Sequence, residues 1–157
     1  MVNDINANRL GLAMDAQGLE HKSRYRANTD NLLAQGELAF AMFPSGIGVH
    51  CCDIVKQQQA TSSVNLSACL SINILLSGNV GYSLGKSYYQ FSASDKSPVL
   101  FINVLNKKEV FTRHLIDKQK VREVNITIEK TWLLARCQSV KDFAQVDKLF
   151  NQTLQVY

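Results

Sequence analysis

The feature that most constrains the fold of this chain is a series of short segments in which apolar and polar residues alternate. The segments are separated by short polar turns and lie at residues 37–43, 46–54, 64–77, 98–105, 109–115 and 120–128. Alternation with a period of two is typical of β-strands. The polar stretch 57–63 is read as a turn. Strand after strand with short connections predicts an antiparallel sandwich or barrel.

The stretch NVGYSLGKSYYQF, residues 79–91, predicts a hairpin with a definite register. Gly85 at the first central position suits a type II′ turn, and Gly78-Asn79 just before predicts a bend or bulge. One face then carries three cross-strand pairs, Leu84 with Ser87, Tyr82 with Tyr89 and Val80 with Phe91. This face is either packed core or the wall of a pocket, and the periodicity does not separate the two.

The period changes from two to about 3.6 after residue 128. Residues 129–137 are compatible with a helix, and residues 140–156 place apolar side chains at spacings of three and four, which predicts an amphipathic helix. We therefore expect a mainly β fold of about eight strands followed by one or two helices. The expected organisation is a polar N-terminal segment at 1–35, partly disordered or with a short helix, a β-barrel at 36–128 and a helical segment at 129–157.

Composition excludes several classes of protein. The 157 residues predict one domain, and no run of apolar residues is long enough to span a membrane. No secretion signal opens the chain, which predicts a cytoplasmic protein. A net charge of +4 is too mild to indicate nucleic-acid binding by itself. The four cysteines form no C-x-x-C pair, so neither a zinc ribbon nor a redox motif is indicated.

The sequence contains no catalytic or cofactor signature. The histidines, His21, His50 and His114, form no H-x-H pair, and no nucleophile elbow or phosphate-binding loop occurs. His50 and Cys52 would share a strand face, where they are either ligands for a soft metal or a buried thiol beside a hydrogen-bonded imidazole. We predict no metal, no cofactor and no enzyme activity.

Two stretches, LSINILLSGNVGYSLGKSYYQF and VFTRHLIDKQKVREVNITIEKTWL, resemble the N-terminal sensing half of AraC-type transcription regulators. The similarity is greatest to the branch that includes siderophore-responsive regulators, and it covers roughly residues 46–135. It rests on the order of six elements: Leu76-Ser77-Gly78, the hairpin 80–91, Phe111-Thr112-Arg113-His114, Gln119-Lys120-Val121-Arg122, Val124-Asn125-Ile126 and Trp132-Leu133.

The resemblance implies a cupin-like β-barrel or jelly roll that binds a small effector, siderophore-like or an aromatic or carboxylate compound. It also implies a homodimer formed through the helical segment. DNA would be bound only through a C-terminal domain with two helix-turn-helix units, which we expect to be missing from this chain. The alternatives are a stand-alone cupin-type metal-dependent enzyme or small-molecule carrier, and an interaction module with a filled barrel.

The candidate residues follow from the alternating faces and the helical stripe. Arg113, if it faces inward, would suit a carboxylate or catecholate. The predicted pocket comprises His50, Ile72, Ile74, Leu76, Tyr82, Tyr89, Phe91 and Arg113, each of which could instead be simple core. The predicted dimer surface comprises Phe143, Val146, Phe150 and Leu154, which could instead pack on their own barrel.

Overall fold

The computed structural model describes residues 3–16, 21–25, 32–152 and 155–156. The N-terminal elements are β1 (Asn3–Asn6), α1 (Ala7–Asp15) and β2 (His21–Tyr25). Eight strands follow: β3 (Leu32–Phe43), β4 (Ile47–Lys56), β5 (Ala60–Leu66), β6 (Cys69–Leu84), β7 (Ser87–Ala93), β8 (Val99–Leu105), β9 (Glu109–Leu115) and β10 (Lys120–Glu129). The C-terminal elements are α2 (Lys130–Leu134), α3 (Val140–Phe150) and β11 (Gln155–Val156).

The strands form one curled antiparallel sheet. The hydrogen-bonded order is β1-β3-β4-β10-β6-β9-β5-β2, with β7 and β8 also paired to β6 and β11 paired to β8. The prediction of a mainly β fold with about eight strands and then helices is confirmed. None of the helices in the described part of the chain is long and apolar enough to span a membrane.

Strand β6 changes partners half-way along its length. Its first half pairs with β8 and β10, and its second half pairs with β7 and β9. The change occurs at a bulge, because Leu75 lies opposite Glu123 whereas Ser77 lies opposite Arg122, which leaves Leu76 extra. Gly78 has φ +98°, and a Cβ there would overlap a backbone carbonyl of β10. The predicted bend at Gly78 is thus confirmed.

The predicted hairpin register is also confirmed. The pairs are Leu84 with Ser87, Tyr82 with Tyr89 and Val80 with Phe91. Gly85 has φ +54°, the positive value that the first central position of a type II′ turn requires.

Two predictions along the chain are wrong in detail. Residues 57–63 were expected to be a turn, but Ala60–Leu66 forms β5, and the strand expected at 64–77 begins only at Cys69. The polar composition is misleading because β5 lies between β2 and β9, where its side chains bond across the ladder, as Ser63 does with Thr112 at 2.9 Å.

The terminal segments also differ from expectation. The N-terminal segment contains the short helix, capped by the Asn6 side chain, and two strands that its polar composition does not predict. At the other end α3 begins with a capping box between Ser139 and Asp142 and ends at Phe150 rather than at residue 156.

The interior holds two groups of buried apolar side chains. The first lies beneath α1 and includes Ile5, Leu10, Leu33, Ala34 and Leu115. The second lies beneath the hairpin and includes Leu75, Val80, Tyr82, Phe101 and Val121. The partly buried Leu38 and Ile54 pack against both groups. The space that the two groups leave on the concave side of the sheet is the candidate site.

Candidate functional site: a cavity with a buried charged cluster

A cavity of about 470 Å³ lies on the concave side of the curled sheet. Its wall is built from α1 and from the inward faces of β1, β3, β4, β5, β6, β8, β9 and β10. Pockets for small ligands measure roughly 300–1,000 Å³. The concave side of the sheet is therefore hollow, and the volume fits one small molecule.

One end of the cavity is apolar. Helix α1 supplies Leu10 and Met14, which are four residues apart and so share a helix face. Leu33, Phe40 and Leu115 from the strands complete this end. Phe40 also stacks on the imidazole ring of His50, with 4.6 Å between ring centroids, and so joins the apolar end to the charged groups.

A strip of uncharged polar side chains forms part of the wall that β6 and β10 contribute. Asn125 donates hydrogen bonds to Ser71 Oγ and to Asn73 Oδ1, both at 2.7 Å, and accepts one from Thr127 at 3.0 Å. These residues occupy register positions that face one another across the two strands. The strip offers hydroxyl and amide groups that a polar ligand could bond.

The aromatic face of the hairpin is mainly core. The ring of Tyr82 stacks on Tyr89, Phe91, Phe101 and Phe111, with centroids 5.3–6.2 Å apart. Tyr82 alone of the hairpin aromatics also lines the cavity. Its hydroxyl donates a hydrogen bond to Asn103 Oδ1 at 2.8 Å, so this buried phenol has a hydrogen-bond partner.

A charged cluster forms the part of the wall where β4, β9 and β10 meet. Arg113 on β9 forms an ion pair with Glu123 on β10, and both side chains are largely buried. His50 on β4 places Nδ1 at 3.8 Å from Glu123 Oε1. Burial, and then the charge of Arg113, lowers the pKa of His50 to about 3, so its imidazole is neutral at physiological pH. The contact of His50 with Glu123 is therefore not an ion pair.

Lys56, the last residue of β4, is a buried cation without a carboxylate partner among the described residues. Its side chain is 2% exposed, and Nζ donates to the carbonyl oxygen of Asn79 at 3.2 Å and to Gln119 Oε1 at 3.3 Å. Burial, and then the charge of Arg113, lowers the pKa of Lys56 to about 8. The ammonium group is thus still mostly protonated at neutral pH.

Three side chains of the cluster could in principle hold a soft metal ion. The ligand atoms of His50, Cys52 and Glu123 lie within 4.8 Å of one another. Two observations oppose this use. Burial raises the pKa of the Cys52 thiol to about 11, and the Glu123 carboxylate is already paired with Arg113. A metal cation would also have to bind close to the positive charges of Arg113 and Lys56, which would repel it.

The structure brings together only some of the predicted pocket residues. His50, Tyr82 and Arg113 line the cavity. Tyr89 and Phe91 pack behind Tyr82 in the aromatic core. Three further residues of the predicted pocket, on β6, lie outside the cavity wall: Ile72, Ile74 and Leu76.

The prediction that these three residues face the cavity failed for a simple reason. Sequence alternation assigns all even-numbered residues of β6 to one face, but the bulge at Leu76 shifts the alternation by one residue. Before the bulge the inward residues are odd-numbered, such as Asn73, whereas after it they are even-numbered, such as Tyr82. The cavity therefore has a polar strip where the sequence predicted isoleucines.

The residues that sequence reasoning missed are Lys56, Asn73, Asn103, Glu123 and Asn125. A signal for one of them was available, because Lys56 lies on β4 at the same alternating positions as His50 and Cys52. For Glu123, the register of β10 against β4 sets the side chain opposite Cys52, and this register cannot be read from the sequence.

Only some of the predicted dimer residues are accessible on the surface of α3. Phe143 on α3 is 45% exposed, and Val146 is half-buried. Phe150 is buried in its own domain, with the Lys130 ammonium 5.1 Å from the ring centroid. Leu154 lies outside the described residues.

Comparison with known proteins gives one match in sequence. The profile of the family described as "Regulatory protein PchR N-terminal domain" matches residues 35–157, which is most of the chain. This match confirms the resemblance to the sensing half of AraC-type regulators. No curated protein sequence matches the chain.

Solved structures resemble the chain only distantly. The AraC-like transcriptional activator CuxR is 9% identical, with a TM-score of 0.49 over 98% of this chain and 53% of CuxR, so this chain spans about half of the CuxR chain. The cupin domain of Cnp3 from Schizosaccharomyces pombe is 10% identical, with a TM-score of 0.40 over 66% of this chain and 70% of that chain. A cupin-2 domain from Rhodospirillum rubrum, Rru_A2000, is 8% identical, with a TM-score of 0.40 over 85% of this chain and 91% of that chain.

Proposed function

This chain belongs to the family of PchR regulatory-protein N-terminal domains, and from that premise we propose that it senses a small effector rather than catalysing a reaction. The observation that carries the proposal is the cavity of about 470 Å³ whose wall combines an apolar end, an amide and hydroxyl strip and a charged cluster. A few polar groups set into a mainly apolar concave surface are typical of ligand sites.

The proposed mechanism is differential binding. An effector in the cavity contacts α1 through Leu10 and Met14, and the sheet through the polar strip. It therefore stabilises the arrangement of sheet and helices in which these surfaces lie closest to it. In the whole regulator this preference would alter how two DNA-binding domains are spaced, which makes effector binding and operator binding reciprocal.

Dimerisation would use the exposed side of α3. Val140 and Phe143 lie on successive turns of this helix and are 88% and 45% exposed, which is unusual for large apolar side chains. Phe150 on the same helix is buried against its own domain and so anchors α3. The proposed homodimer would thus bury the first turns of α3, while its last turn stays intramolecular.

Ligand-observed NMR with a fragment library tests the sensing function. The matched variants are Thr127→Trp, which fills the cavity beside the polar strip, and Ile126→Trp, which adds the same ring on the opposite face of β10. We expect fragments that bind the unaltered chain and Ile126→Trp but not Thr127→Trp. If no fragment distinguishes the two folded variants, the cavity is not a ligand site and the proposal is wrong.

A further inference from the structure

The positive and negative charges of the cavity wall do not sum to zero. The wall contains three cationic residues, Lys56, Lys108 and Arg113, and two anionic residues, Glu123 and Glu129. His50 and Cys52 are neutral at physiological pH, because burial lowers the pKa of the first to about 3 and raises that of the second to about 11. The wall as a whole therefore has one positive charge more than negative charges.

The excess charge is located at the buried end of the wall. Lys108 is exposed, and Glu129 lies six residues beyond Glu123 along the extended β10, about 20 Å away. Arg113, Lys56 and Glu123 form the inner group, in which one carboxylate serves two cations. Glu123 pairs with Arg113, whereas the ammonium of Lys56 bonds only to neutral oxygens among the described residues.

Both cations retain binding capacity. A single carboxylate can occupy only part of the donor fork of a guanidinium, so Arg113 keeps N–H donors for another acceptor. Glu123 is the one carboxylate with which Arg113 forms an ion pair in the described part of the chain. A protonated lysine that is buried without a counter-ion is unfavourable unless an anion arrives.

Building on the proposed sensing function, we infer that the effector carries a carboxylate group that binds at the Arg113–Lys56 end of the cavity. The carboxylate would supply the charge that the wall lacks, and the planar guanidinium would fix its orientation. The rest of the molecule would then extend along the polar strip of β6 and β10 or toward the apolar end beneath α1. Glu123 acts as the resident counter-ion that keeps Arg113 in position while the cavity holds no effector.

Matched probes test this inference without knowledge of the effector. Benzoate and benzamide have nearly the same shape, but only benzoate is an anion at neutral pH. Titration of each into the ¹⁵N-labelled chain, followed by backbone amide shifts, reports both the affinity and the residues contacted. We expect benzoate to bind about tenfold or more tightly than benzamide, with shifts centred on residues of β4, β9 and β10.

Substitution of Lys56 locates the source of the selectivity. Lys56→Met is expected to weaken benzoate binding about tenfold and to leave benzamide binding unchanged. Lys107→Met is the matched control, because Lys107 is exposed, does not line the cavity and carries the same charge. Arg113 is unsuitable for replacement alone, because its loss would leave Glu123 buried and unpaired.

The outcomes separate the two proposals. Equal affinity of the probes inside the cavity would overturn the carboxylate inference and leave the sensing function standing. Equal effects of Lys56→Met and Lys107→Met, or shifts confined to residues outside the cavity, would also overturn it. The comparison of probes on the unaltered chain needs no variant, so a poorly folded Lys56→Met leaves the inference testable. Failure of the fragment screen would instead remove the sensing function itself.

Discussion

The pH dependence of stability measures the charge that is buried at Lys56. Burial lowers the pKa of this residue from 10.5 in the unfolded chain to about 8 in the folded one. Between these two values the unfolded state binds more protons, so the contribution of Lys56 to stability rises as the pH rises through this window. Below about pH 8 the full penalty is present, on the order of 3 kcal/mol for the whole shift.

The perturbation that isolates this contribution is Lys56→Met. Methionine has a similar length and no charge, so the variant lacks the penalty at every pH. The variant also loses the hydrogen bonds to Asn79 and Gln119. This loss changes the free energy of unfolding by an amount that does not follow the titration of Lys56. The difference in free energy of unfolding, variant minus unaltered chain, should therefore fall by about 2 kcal/mol between about pH 7 and about pH 9.5.

Urea unfolding followed by circular dichroism at the two pH values provides the measurement. Other titrating groups are common to both proteins and cancel in the difference. Lys107→Met, at an exposed position, is the control for the loss of one lysine in the same assay. A difference for Lys56→Met that does not change with pH would mean that the pKa of Lys56 is not lowered in the folded chain, and the argument for an uncompensated buried cation would be refuted.

Three further substitutions test the packing described above. Tyr82→Phe removes the buried hydrogen bond to Asn103 and should reduce stability by about 1–2 kcal/mol in urea unfolding; no change would mean that the bond is not formed. Phe143→Asp should give a folded monomer in sedimentation, whereas Phe150→Asp should lose more than about 3 kcal/mol of stability; a dimer that survives the first change would rule out the α3 interface. Gly78→Ala forces a positive φ and a backbone overlap, and should cost at least about 2 kcal/mol; a neutral effect would contradict the bulge geometry.

The sequence predicted the parts of the fold that local chemistry determines. The hairpin register follows from Gly85 and the alternation on either side of it, and the change to helical period after residue 128 marks the end of the strands. The order of several weak elements also predicted the family. Each of these signals lies within a few residues of the structure that it specifies.

The composition of the cavity could not be predicted in the same way. It depends on which residues of distant strands lie opposite one another, as when β10 sets Glu123 opposite Cys52 and β9 brings Arg113 to Glu123. Such pairings are non-local, and one bulge reverses the alternation on which the choice of face depends. His50 and Arg113 were identified as cavity residues because they lie on strands without this bulge. Tyr82 was identified because it follows the bulge on β6, where the inward residues are the even-numbered ones that the sequence predicted.

The bulge at Leu76 also means that the backbone conformation at one residue, rather than any substitution, decides what kind of molecule the cavity can accept. Ile72 and Ile74 lie on the outer face of β6, while Ser71 and Asn73 face the interior. If the same residues formed a regular strand without the bulge, and with the hairpin held in place, the isoleucines would turn inward. Loss of the bulge would therefore exchange a hydrogen-bonding wall for an apolar one in a single step. Among proteins built on this fold, ligand preference can diverge through the gain or loss of a bulge as readily as through a change in residue type.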